Sequence, residues 1–208
     1  MVATVTIKEI TGPSGSQSYT LKNTSIVSRY YTADVADSGS TAYPIPVPTT
    51  GTRPSYWKSV CLDCTSGPDT YIKNVRYYQT WNTSPNSDWS LGTSGDLVVG
   101  VSSSSVGDCR VLTQGCPQDK YTQAIGNQGT SGNLIEADHW YYSNCAGKKS
   151  SITNFDSLAN ALMVVSGQWL GQNATGKSYI VVTQVIVGSG ATQGLKASKT
   201  ATFVYDEA

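Results

Sequence analysis

Charge is what this sequence has least of. Asp, Glu, Lys and Arg make up 13% of its 208 residues, about half of the roughly 25% usual in soluble domains. Fourteen basic residues face fourteen acidic ones, so the formal net charge is zero, and no block of like charge occurs. This excludes electrostatic capture of nucleic acid, which needs a basic patch or stripe. It also leaves little repulsion between copies, a condition that favours association. No run of 18 apolar residues exists, which excludes a helical membrane span. Glutamate occurs only as Glu9, Glu136 and Glu207, histidine only as His139, and methionine and phenylalanine twice each. Strong helix formers are therefore scarce. The opening MVATVTIKEI shows no basic n-region followed by an apolar h-region. Either a leader precedes it and is removed, or the protein leaves the cell by another route, of which release of virus particles is one.

What is present suits sheets. Glycine, serine and threonine abound, with 13 tyrosines and five tryptophans, and Tyr, Thr and Val fit pleated, half-buried surfaces. Residues 2–10 alternate, with Ala3, Val5 and Ile7 on one face and Thr4, Thr6 and Lys8 on the other, as in a strand with one buried side. SIVSRYYTADV reads as a second strand. YPIPVPTTGTRP carries four prolines in twelve residues and is expected to run extended rather than as a central strand. YWKSVCLDC and YIKNVRYYQTW read as strands around the turn TSGPDT; in the second, Tyr71, Lys73, Val75, Tyr77, Gln79 and Trp81 are expected to share a face. GDLVVGVSS and IEADHWYYSN are further strands, and residues 102–132 read as a long decorated loop. TNFDSLANALMVV is the one expected helix, capped by Asn154, with Leu158, Ala161, Leu162 and Val165 at helical spacing. YIVVTQVIV is apolar on both faces and should be central in a sheet, and KTATFVYDE closes the chain as a last strand. Both ends therefore read as strands open to pairing with neighbouring subunits.

GQNATGKS, from Gly171 to Ser178, matches the G-x-x-x-x-G-K-[ST] loop that cradles nucleotide phosphates. Such a loop works only where a helix starts at the Lys-Ser pair. Here Lys177 and Ser178 run into YIVVTQVIV, whose four valines and two isoleucines suit a strand. FVYDE imitates the magnesium-holding acid of the same enzymes, but the strand–helix units that should separate the two motifs are missing. The expectation is a hairpin loop in which Gly171 and Gly176 take positive φ.

Other chemistry is thin. Glu136 and Asp138 would share one strand face near Trp140, which falls short of the two carboxylates across a cleft that a glycosidase needs. His139 belongs to no recognisable constellation. No enzyme, cofactor or metal is expected. Of the five cysteines, Cys61 and Cys64 form a CxxC, but no second close pair completes a zinc knuckle. Disulfides stapling loops are the expectation, with Cys109–Cys116 the preferred pair because Gly115 and Pro117 mark a tight turn. An odd count leaves one thiol unpaired, buried or joined to a neighbour. Asn23, Asn82 and Asn173 head glycosylation triplets. Tyr77, Trp81, Trp89, Trp140 and Tyr141 are open to three readings: core packing, an interface between subunits, or a platform for sugar rings.

The closing VIVGSGATQGLKASKTATFVYDE resembles the terminal hairpin of Ig-like and jelly-roll sandwiches in surface-layer, fibre and virion proteins. The chain as a whole also resembles small structural proteins of archaeal and bacterial viruses. The reading is a single all-β domain over residues 1–208, a β-sandwich or jelly roll with one short helix and long decorated loops. Its expected function is self-assembly into a virion part (tail tube, capsid or decoration) or an extracellular filament. Its partners would be copies of itself, with glycans as further candidates, in a virion or at a cell surface. The rival is a carbohydrate-binding module.

Overall fold

The computed structural model describes residues 2–11, 18–22, 29–31, 44–55, 58–101 and 150–208. Expectations for Asn23, Cys109, Cys116, Glu136, Asp138, His139, Trp140 and Tyr141, and for the strand IEADHWYYSN, lie outside the described residues.

Within them the chain is all-β. Its elements are β1 (Thr4–Thr11), β2 (Ser18–Lys22), β3 (Thr52–Pro54), β4 (Lys58–Ser66), β5 (Tyr71–Gln79), α1 (Pro85–Trp89), β6 (Asp96–Val101), β7 (Ser150–Ser151), β8 (Leu162–Gly171), β9 (Gly176–Lys177), β10 (Val181–Gly188) and β11 (Ala201–Glu207). The larger sheet runs β2-β1-β4-β10-β6-β7, with β3 paired to β10 and β9 to β4. The smaller runs β11-β5-β8, and every pairing is antiparallel. The sheets enclose a core containing Leu62, Val75, Tyr77, Leu97, Val99, Val181 and Val185. Every residue of β10 is buried, as its doubly apolar run requires of a central strand.

Two local expectations are corrected. Residues 153–165 are not a helix: a 3-10 turn spans Ile152–Phe155, and β8 begins at Leu162. Leu158, expected on the buried helix face, is 49% exposed. Asn160 instead closes a local turn, donating from Nδ2 to Asp156 Oδ1 at 3.2 Å. Leu162, Met163 and Val165 then pair with Tyr77, Arg76 and Val75 of β5. Helical spacing over four apolar residues yields to the ladder that the β-branched Val164 and Val165 complete. The helix that does form is the five-residue α1, where Ser84 Oγ accepts from Ser87 N and Pro85 occupies the first turn, an arrangement that suits both residue types.

The second correction concerns β5. Asn74 takes φ 52° and the pairing with β8 shifts register on both sides of it. A bulge flips the alternation, so Ile72 joins Val75, Tyr77 and Gln79 among the buried residues while Tyr71 and Lys73 do not. In the expected second strand, residues 29–31 lie outside any strand; Tyr31 is buried and Tyr30 packs on the core.

Candidate functional site

The phosphate-loop lookalike is part of the sheet. After β8 the chain turns at Asn173, whose N–H donates to Pro68 O at 2.9 Å. The left-handed residue is Asn173 (φ 55°), not Gly171 or Gly176. Lys177 follows in β9, opposite Asp63, with its ammonium 3.8 Å from Asp63 Oδ1 and 4.8 Å from the centroid of the Tyr19 ring. Ser178 is buried; its N–H donates to Leu62 O at 2.9 Å, and its Oγ accepts from Leu62 N and donates to Tyr179 O. No helix starts here, and the amides that would cradle a phosphate extend a β-ladder. Gly67 fixes the turn from the other side, because a Cβ there would lie 2.4 Å from Asn173 C.

The acids of FVYDE are likewise occupied. Asp206 pairs with Arg76 at 2.6 Å and accepts from Asn74 Nδ2 at 2.8 Å, while Glu207 Oε1 accepts from Ala3 N at 2.6 Å.

Three aromatic candidates lie inside. Tyr77 is 3% exposed, and Trp81 and Trp89 8% each. Trp81 and Trp89 meet edge to face at 4.7 Å, and Tyr77 meets Phe203 at 5.1 Å. Of the three readings open to these rings, their burial and edge-to-face contacts are those of core packing. Burial pushes the Tyr77 hydroxyl well above the ordinary tyrosine range.

Around the tryptophans the β10–β11 connection is strapped down. Trp89 Nε1 donates to Ala197 O at 2.7 Å. Lys199 pairs with Asp88 and sits over the Trp81 ring, 5.2 Å from its centroid. The Lys199 contact first, and then the Asn82 N–H, lower the Asp88 carboxyl from 3.8 to about 2. A carboxyl held low when folded contributes stability above its unfolded value and loses it as pH falls toward the folded one. Asp88→Asn is therefore expected to melt below the wild type at neutral pH, with the gap in Tm closing as pH falls from about 3.8 to about 2. A gap independent of pH over that window would show that the ion pair contributes nothing.

Cys61 and Cys64 are buried free thiols on β4. Three residues apart on a strand they project to opposite faces, so they cannot grip one ion. Burial pushes Cys61 up to about 12 and raises Cys64 as well. Thiol reagents at pH 8 should leave both untouched in the folded protein, because the thiolate is the nucleophile. The native reactive-thiol count should thus be the same in Cys61→Ser and Cys64→Ser as in the wild type, and a drop in either would contradict this.

The densest polar site went unrecognised in the sequence. Glu9 is fully buried on the inner face at one end of the larger sheet. Lys58 donates to its Oε1, and Lys22 Nζ stands 2.5 Å from Oε2, with the two lysine side chains 8% and 7% exposed. Tyr31 lies beneath Lys58, 5.6 Å from ring centroid to Nζ. Tyr30 donates to Thr183 Oγ1 at 2.8 Å, and burial raises its pKa. A signal existed: the alternation of Ala3, Val5 and Ile7 continues to Glu9, which places a carboxylate on the apolar face.

Two further features bear on function. Among the described residues β8 has one strand partner, β5, and β11 likewise pairs only with β5. The sequon residues Asn82 and Asn173 are both exposed. No protein-family model, curated protein or solved structure matches the chain.

Proposed function

We propose that this chain is a self-assembling structural subunit of a virion or of an extracellular filament or tube, joined to its copies by strand pairing at β8. The observation that carries the reading is β8 itself: ten residues, LMVVSGQWLG, none of them charged, with one strand partner among the described residues. Outer strands of monomeric proteins are guarded by lysine, proline, inward charge or bulges. β8 has only the last, at Gly167 (φ 75°) and in the register shifts against β5. The shifts run along the strand, the last of them between Met163 and Val165, but none brings a charge to the edge, where Met163 (45%) and, just before the strand, Leu158 (49%) are exposed. Zero net charge adds no long-range repulsion between copies.

The topology limits how copies can join. In the smaller sheet β8 and β11 are both antiparallel to β5, so they run in the same direction. A neighbour placed by translation would lay its β11 parallel to β8, whereas a two-fold would pair β8 with β8 antiparallel. Heterologous contacts propagate into filaments and two-fold contacts close into dimers. The sugar-binding rival needs exposed rings, and Trp81 and Trp89 do not supply them.

The test places charge on the edge. Leu158→Lys with Met163→Lys should cost within about 0.5 kcal/mol of stability, as exposed substitutions do, yet release monomer from wild-type assemblies in sedimentation velocity. Assemblies unchanged by the double substitution would remove β8 as the joint.

A further inference from the structure

We infer that Lys22 and Glu9 form a covalent amide cross-link between β2 and β1. This goes beyond the assembly reading and does not depend on it. Lys22 Nζ lies 2.5 Å from Glu9 Oε2, yet it is a buried nitrogen with no hydrogen bond of acceptable geometry. An amine that meets Oε2 at this distance without forming a hydrogen bond is in contact with the carboxyl group it would attack, and such fixed contact is what a near-attack arrangement requires. The backbone register holds it there. Lys22 faces Ile7 and Thr20 faces Glu9 across the β1–β2 ladder, so the two side chains are diagonal neighbours on one face.

The step is a condensation. Nζ bonds to Cδ, the Cδ–Oε2 bond breaks, and Oε2 leaves as water with two protons from the ammonium; the amide nitrogen keeps the third. Carboxylate plus ammonium becomes amide plus water, with no oxidant, reductant or net proton. Lys58, which donates to Oε1, is placed to stabilise the charge that gathers on that oxygen in the tetrahedral intermediate.

Free ions in water do not condense, because hydration and solvent concentration oppose it. Two features reverse the balance here. Fixed neighbours reach effective molarities of roughly 10⁵–10⁸ M. An amide also removes two of the three charges buried here, at a site where Glu9 is 0% exposed and Lys22 only 7%, and its oxygen, the former Oε1, remains as the acceptor for Lys58. The same burial keeps out the water that would hydrolyse the product.

Mass spectrometry of the reduced, denatured chain tests this. The wild type should be lighter than its sequence by one water. Trypsin, which cuts after Lys8 and Arg29, should fail at Lys22 and release residues 9–29 as one peptide carrying that loss. Lys22→Arg should have full mass, Glu9→Gln should lose ammonia instead of water, and Lys58→Met should accumulate uncross-linked chain. Full mass in the wild type with normal cleavage at Lys22 overturns the inference, as does a water loss that persists in Lys22→Arg. The wild-type peptide decides the matter even if a variant fails to fold, and a wholly monomeric protein would leave the expected mass unchanged.

Discussion

Gly188→Ala is expected to destabilise the protein by about 4 kcal/mol or more, which is in the exceptional range for one substitution. A Cβ at this position would fall 1.8 Å from Thr93 O, 2.6 Å from Thr93 C and 2.9 Å from Thr93 N. All three are backbone atoms, so no side chain can swing aside. Moving Thr93 would break the clamp that joins the α1–β6 loop to the end of β10. That clamp consists of Gly188 N to Leu91 O at 2.7 Å, Thr93 N to Ser189 O at 2.8 Å and Thr192 N to Ser90 O at 3.0 Å. Leu91 and Trp89, which the loop carries into the core, would shift with it. For a chain of this size each kcal/mol moves Tm by about 2–4 °C, so a fall of roughly 10 °C should appear in a thermal melt. Gly51→Ala is the control: Gly51, unlike Gly188, takes positive φ (67°), but it has nothing within 4 Å of the added Cβ. It should cost only the roughly 1–2 kcal/mol of left-handed backbone strain. Equal melts for the two variants would contradict the steric explanation.

Glu9→Leu should cost roughly 3–5 kcal/mol, the usual penalty for stripping buried ammonium groups of their partner. It removes the carboxyl oxygen that Lys58 bonds and the group that Lys22 meets, whether that group is a carboxylate or the amide. Both lysine side chains around Glu9 are at least nine-tenths buried. Removing the carboxylate leaves two ammonium groups facing each other in an interior bounded by Tyr30, Tyr31 and Thr183. The second half of the experiment separates charge from shape. Adding Lys22→Met and Lys58→Met to Glu9→Leu should recover much of the loss, since apolar residues of similar volume often replace a buried ionic set at little cost. Urea unfolding followed by tryptophan fluorescence reads both. A triple variant no better than the single one would mean that packing, not unmatched charge, sets the penalty.

Much of the fold was legible because period-2 patterning is local and strong. β1, β4, β5, β6, β10 and β11 fall where alternation or β-branched runs placed them. The burial of both faces of β10 followed from its composition alone. The refusal of a nucleotide site at Lys177 was readable for the same reason, because β-branched residues follow the Lys-Ser pair.

The misreadings have local causes. At residues 153–165 four apolar residues happen to match helical spacing, and only the ladder with β5 reveals that Val164 and Val165 belong to a strand. The real helix carried the shorter but better signal, Ser84 before Pro85 with Asp88 in the first turn. The bulge at Asn74 was invisible to a strict alternation, though asparagine tolerates the left-handed backbone it needs. Whether Trp81 and Trp89 face a partner or each other depends on how the two sheets close, which no window of sequence contains. The Glu9 cluster joins residues from three strands, so its lysines could not be found locally, even though the odd carboxylate could.

The most direct measurement is sedimentation velocity of the native protein over a wide concentration range, with negative-stain micrographs of the same samples. Assembly through an uncharged outer strand predicts species that grow with concentration and appear as tubes, filaments or shells. A single boundary at the monomer mass at every concentration, with featureless fields, would contradict it.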